Sequence, residues 1–447
     1  MPLNGPGLTA KRIFLFWLPL AATWLMMSLE GPFLSAVIAR LAAPKTNLAA
    51  YGVAFSVALL VEAPIIMVMS AATALVRGRQ SYLTMKRFVY ILNAIITLIM
   101  LLIVFRPIFD LLALKVIDLA PEVADITWVA CVLLIPWPAA IGYRRFYQGI
   151  LIRHEKTSYV AYGTVVRLGS MALMALLLAL FSTCPGAVIG GASLAFGVIC
   201  EAVASRIMAS GVIRFRLTDK EEGSSSSLTY RRITKFYYPL ALTAVLALGV
   251  RPVLTFFMGQ SYMALESLAV FPVVHSLVFI FVCLGISYQE VVIALVGDDH
   301  ANYLPLKRFA IYLAIFATSG LGLIAFTPLS GVWFKQVAGL TPVLADFSVL
   351  PVQILSIVPA FWVWVCFQRA ILVSAGRTAP ITQGTALQVI IITIICFLTI
   401  HFLNVVGVVA SSIALLCGGI VGCLYLVPWF VLVRRETGSY PLSANCP

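Results

Sequence analysis

Apolar residues run along this chain in stretches of roughly 20 to 30, separated by short polar breaks. A helix needs about 20 such residues to cross the hydrocarbon core of a bilayer. The pattern predicts helices over residues 13–38, 48–75, 88–106, 122–142, 158–181, 187–212, 234–258, 265–296, 309–327, 342–366, 381–402 and 405–432. The second and eighth are long enough to tilt or to extend past the lipid. Nowhere do apolar and polar residues alternate as membrane strands require, which excludes a β-barrel. The expected fold class is all-α and polytopic, with about twelve transmembrane helices.

Shifted by about 220 residues, the chain matches itself. KRIFLFWLPLAAT from Lys11 aligns with RRITKFYYPLALT from Arg231, and Pro19, Thr23 and Pro32 recur as Pro239, Thr243 and Pro252. Lys86-Arg87-Phe88 recurs as Lys307-Arg308-Phe309, Gln148 as Gln368, and Gly163-Thr164 as Gly384-Thr385. Six spans per repeat is an even number. Both repeats therefore enter from the same side and are parallel, related by an axis along the membrane normal. The expected domains are a six-helix bundle over 1–215, a linker over 216–232, a second six-helix bundle over 233–435 and a short tail over 436–447. A transported substrate is expected between the halves, near mid-depth.

Composition narrows the class. Of 447 residues 62% are hydrophobic and 11% charged, and the mean hydropathy is +1.04. Soluble proteins are about 45–50% apolar and 25% charged. A cytosolic enzyme, a secreted disulfide module and a disordered chain are thereby excluded. The net charge is +13. Of the lysines and arginines, Arg40, Lys45, Arg106, Lys115 and Lys335 fall in loops away from the N-terminal side, and Arg167 and Arg251 fall within spans. The rest, Arg144, Arg145, Arg231 and Arg232 among them, are assigned to loops on the N-terminal side. The positive-inside rule then places both termini in the cytoplasm, in an inner or plasma membrane. These charges are scattered beside anionic lipid rather than gathered in a block, so no nucleic-acid partner is expected. Residues 13–38 are too long for the core of a cleavable leader. The nine cysteines show no paired or metal-type spacing, and there is no glycine-rich phosphate loop. The expectation is a non-enzyme without metal or cofactor, a monomer in the lipid bilayer.

Ionisable residues inside spans are expensive in lipid and mark function by default. Glu30, followed by Gly31-Pro32, and Arg251, followed by Pro252, lie at nearly the same depth on symmetry-related helices. They are read either as an ion pair locking the halves or as a substrate or proton site, with Glu30 the expected counter-charge of Arg251. Glu62 and Glu201 lie near the middle of their spans and are candidates for coupling transport to a proton or cation. Arg167 is a candidate partner of one of them or a second anion contact. His275 either packs or lines a cavity. Glu290 is expected to face water near the end of its span.

These features resemble the progressive ankylosis family, within the multidrug, oligosaccharidyl-lipid and polysaccharide exporter superfamily. The likeness rests on the 6+6 parallel repeat, on YRRFYQGILIRHEKT after the fourth span, and on LAAYGVAFSV at Leu48, YYPLAL at Tyr237, GVRPVLTFFM at Gly249 and VQILSIVPAFWVWVCFQRAILVSAGRT at Val352. The resemblance implies a V-shaped, MATE-like exporter of small anions such as citrate, nucleotides or pyrophosphate. It also implies an acidic residue at Glu30 and an Arg-Pro pair at Arg251-Pro252. The expected function is secondary active export by alternating access, with a small-molecule substrate and a coupling proton or cation. Arg251, Glu30, Arg167 and His275 would contact substrate, and Glu62 and Glu201 would carry the coupling ion. The alternatives are a drug or organic-cation/proton antiporter, which would use the same carboxylates, and a lipid-linked oligosaccharide flippase.

Overall fold

The computed structural model describes residues 8–38, 40–116, 119–215, 217, 228–297 and 301–438. Among them there is no strand. Ten helices build the first repeat: α1 (Ala10–Met27), α2 (Glu30–Ile38), α3 (Pro44–Glu62), α4 (Val68–Leu75), α5 (Arg79–Val104), α6 (Arg106–Asp110), α7 (Pro121–Leu133), α8 (Pro136–Arg153), α9 (Thr157–Phe181) and α10 (Gly186–Phe215). Eight build the second: α11 (Tyr230–Gly259), α12 (Ala264–Leu295), α13 (Tyr303–Phe326), α14 (Leu329–Gly331), α15 (Pro342–Leu355), α16 (Val358–Ser374), α17 (Ala379–His401) and α18 (Gly407–Gly438). Eleven stretches are long and apolar enough to cross a membrane, and α15 with α16, bent by 40°, makes a twelfth. This is an integral, multi-pass membrane protein.

Prolines stand beside the breaks of the first unit's spans. Pro32 has no amide hydrogen to give the carbonyl of residue 28, and α1 ends there, with a turn at Ser28–Leu29 before α2. Pro64 lies in a single 3₁₀ turn, Ala63–Ile65, that separates α3 from α4. Pro136 and Pro359 stand in the first turns of α8 and α16, where a missing N–H costs nothing. Helix faces then sort by burial. Along α5, Val89, Ile96, Met100 and Val104 are buried, whereas Ile91, Ile95, Leu98 and Leu102 are exposed. A helix apolar on both faces belongs in lipid.

The sequence repeat recurs as geometry. Ala43 (φ 48°) and Met263 (φ 54°) turn the chain through the left-handed region before α3 and α12. Single π-helical segments occur at Leu111–Val116 and Val332–Val337. Glu155 and Gly376 also have positive φ, at 59° and 73°.

Packing divides the chain into two units, Ala22–Ala244 and Met1–Ala21 with Val245–Pro447. The division falls inside α1 and α11 rather than at the linker. The first turns of α1 pack in the second unit, where Trp17 Nε1 donates to Ser287 Oγ at 2.9 Å. The first turns of α11 pack in the first unit, where the Tyr237 hydroxyl donates to the Pro64 carbonyl. Most of the expected linker, 216–232, and of the expected tail, 436–447, lies outside the described residues.

Candidate functional site

The first unit buries three carboxylates and three guanidiniums together. Glu30 opens α2, where the unpaired amides of a helix start favour an anion. Its Oε2 accepts from Arg167 Nη2 on α9. Arg167 also lies 3.8 Å from Glu201 Oε2 through its Nη1. Glu201, on α10, has no exposed surface. It is the most densely bonded of the three, accepting from Arg144 of α8, from Gln148 Nε2 at 3.0 Å and from Thr164 Oγ1 at 3.4 Å. Glu62 is buried at the end of α3, beside the Pro64 turn, within the field of Arg145, Arg144 and Arg167.

Buried charge on this scale is tolerable only when compensated. With all six groups ionised the cluster is neutral, and protonation of any one carboxyl leaves it with a charge of +1. Glu30 Oε1 and the Nε atoms of Arg144 and Arg167 have no hydrogen-bond partner. The cluster therefore keeps both acceptor and donor capacity in reserve.

The second unit is arranged differently. Arg251 is exposed although it lies well inside α11, and its Nη2 donates to His275 Nδ1 at 3.2 Å. An arginine can only donate, so this contact requires a neutral His275 that carries its hydrogen on Nε2. His275 in turn sits against Phe271 and stacks on Phe279. A second cation, Arg369 of α16, donates to Thr385 Oγ1 at 2.9 Å and lies over the Trp362 ring. No carboxylate pairs with Arg251 or Arg369 among the described residues.

Three expectations are corrected. The partner of Glu30 is Arg167, in its own unit, rather than Arg251. Equal depth fixes height in the membrane, not the direction in which a side chain points. Arg144 and Arg145 are not loop charges: α8 continues past the apolar stretch to Arg153 and buries both, at 2% and 7% exposure. Glu290 is likewise buried rather than facing water. Arg167 does meet Glu201, as one of its readings required, and His275 meets Arg251. Arg144, Arg145 and Arg369 were missed because they stand where hydropathy falls. The available signal was stoichiometric, since three buried acids need more than one cation.

No family model matches the sequence, and no curated protein matches it. Solved structures do match in fold. A mutant of the Vibrio cholerae MATE transporter VcmN aligns with a TM-score of 0.76 at 16% identity, over 96% of this chain and 97% of that one. A MOP superfamily transporter from Pyrococcus furiosus, described as having a binding pocket of reverse polarity, aligns at 0.72 and 14%, over 95% and 96%. An outward-facing multidrug resistance MATE transporter aligns at 0.69 and 13%, over 97% of each chain. The chain thus has the fold of MATE and MOP superfamily transporters. At these identities the likeness concerns fold.

Proposed function

We propose that this protein is a secondary active exporter that moves a small organic or phosphate-bearing anion by alternating access, coupled to a proton or cation. The observation that carries the reading is Arg251. A guanidinium inside a span is expensive in lipid, and its exposure supports a place facing water. With no carboxylate paired to it among the described residues, its planar fork can take a carboxylate or phosphate bidentately. His275 holds it in place. In the first unit, Glu30, Glu62 and Glu201 are the groups able to take up a coupling proton, and each protonation would raise the positive charge of the cluster. Arg167, shared by Glu30 and Glu201, would register that change. A cation-exporting antiporter is the second reading, favoured by the buried Oε1 of Glu30, which has no hydrogen-bond partner among the described residues.

Uptake of radiolabelled citrate, nucleotide, pyrophosphate and an organic cation into inverted vesicles tests this. Anion uptake should be abolished by Arg251→Gln and weakened by Arg251→Lys, with membrane insertion unchanged. Organic-cation uptake that survives Arg251→Gln, without anion uptake in the parent protein, would overturn the reading.

A further inference from the structure

The first unit carries a groove of about 450 Å³ between α5, α8 and α10. Small residues, Ala139, Ala140 and Ala202, form part of its lining, with Val203 and Ile207 also along it. Ile199, Val203 and Ile207 recur every fourth residue along α10 and are 37%, 54% and 66% exposed. An exposed apolar stripe along a transmembrane helix borders lipid, so the groove opens onto acyl chains.

Toward the Phe215 end of α10, Arg206 of the groove and Lys86 of α5 each rest on one of a run of tyrosines. Arg206, which lines the groove, lies 5.2 Å over the Tyr147 ring. Lys86 lies 5.3 Å over the Tyr90 ring. Tyr143, also lining the groove, joins them, stacked on Tyr90 at 5.9 Å and 4.8 Å from Tyr147. Neither Lys86 nor Arg206 has a carboxylate partner among the described residues.

Depth fits a headgroup. At 1.5 Å per residue, α10 is about 45 Å long and overhangs a core of about 30 Å by about 7 Å at each end. Arg206 starts about 14 Å from the end of α10, and Lys86 about 10 Å from the start of α5. Both side chains are long enough to reach the polar boundary from there.

We propose that this groove binds one anionic phospholipid, its phosphate held by Arg206, with Lys86 adding positive charge along the tyrosine run, and one acyl chain laid along the apolar channel. Two uncompensated cations select a net negative headgroup over a zwitterionic one. The apolar channel selects a lipid over a free phosphate ion, which has nothing to place there. The site belongs to the first unit.

Native mass spectrometry of the full chain, released from detergent with added phosphatidylglycerol or phosphatidylcholine, tests the site. One phosphatidylglycerol should be retained preferentially. The double variant Lys86→Gln, Arg206→Gln should lose about tenfold in phosphatidylglycerol affinity, with phosphatidylcholine binding unchanged. Val203→Trp, at an exposed position, should close the channel and weaken both lipids. The charge-keeping pair Lys86→Arg, Arg206→Lys should retain the preference, which separates lost charge from lost folding. Equal retention of the two lipids by the parent protein would overturn the proposal. So would unchanged preference in the Gln double variant, or displacement of phosphatidylglycerol by inorganic phosphate at equal concentration.

Discussion

Gln148 and Gln368 occupy matching positions in the two repeats, yet their amides meet different surroundings. Gln148 donates to the Glu201 carboxylate at 3.0 Å. Gln368 accepts a weak contact from the Cys423 thiol at 3.7 Å, and its Nε2 has no partner. The neighbouring positions differ in the same sense. Arg167 and Glu201 correspond, at an offset of 221, to Gln388 and Gly422. A Cβ added to Gly422 would lie 3.4 Å from Gln388 Oε1, so the two positions face each other in the second unit as well. One scaffold thus holds a compensated ionic cluster in the first unit and neutral residues at the matching positions of the second. The backbone follows: the first repeat breaks at Ser28–Leu29 and at the Pro64 turn, while α11 and α12 run unbroken. The charges of the cluster are bound to each other, whereas Arg251 and Arg369 of the second unit pair with no carboxylate among the described residues. Duplication supplied two copies of the frame, and the difference between them is where chemistry can be sought.

The largest test of this contrast is Arg144→Ala. It removes the closest cation from a carboxylate with no exposed surface. Leaving a buried charge unpaired costs about 3–5 kcal/mol. Gln368→Ala, at the neutral counterpart of the adjacent Gln148, should cost at most about 1.5 kcal/mol. Denaturant midpoints of the purified variants measure both. Equal losses would mean that the two units do not differ in how they are held together.

Installing the second unit's residues in the first sharpens the comparison. Arg167→Gln alone strands Glu30, and Glu201→Gly alone strands Arg144. The double variant removes one charge of each sign and leaves Glu30 and Arg144 within each other's field. Its loss of stability should fall short of the sum of the single losses by about 1–3 kcal/mol. A simple sum would show that the six groups are independent rather than one cluster.

Why the frame was legible in the sequence and the cluster only in part follows from the same residues. Spans and their repeat come from local properties, length of apolar run and offset; the breaks do not, since α1 ends near Pro32 while α11 continues through the matching Pro252. Glu30, Glu62, Glu201 and Arg167 stand out because each interrupts an apolar run. Arg144 and Arg145 do not, since they follow Pro136 to Tyr143 where the run is already ending, and a helix of 18 residues from Pro136 carries them inward. Pairing is a lateral property. Arg167 reaches Glu30 across helices 137 positions apart, and no spacing rule along one chain encodes that.

The smallest effect concerns the turn after α8 and its counterpart after α16. Glu155 and Gly376 both adopt positive φ, 59° and 73°. A side chain in the left-handed region brings Cβ against the following carbonyl, at about 1–2 kcal/mol, and glycine avoids it. The first repeat tolerates this strain at Glu155, and the second does not carry it. A Cβ added at Gly376 meets nothing within 4 Å, so any loss there is backbone strain alone. Gly376→Ala should therefore lower stability by about 1 kcal/mol. Gly376→Asn should lose less, because asparagine enters this region more readily. Transport should be unaffected by either change, since the turn lies at the end of the span. Thermal midpoints for the pair decide the matter: equal losses for Ala and Asn would mean that packing rather than φ sets the cost, and the two turns would then differ in more than their residue.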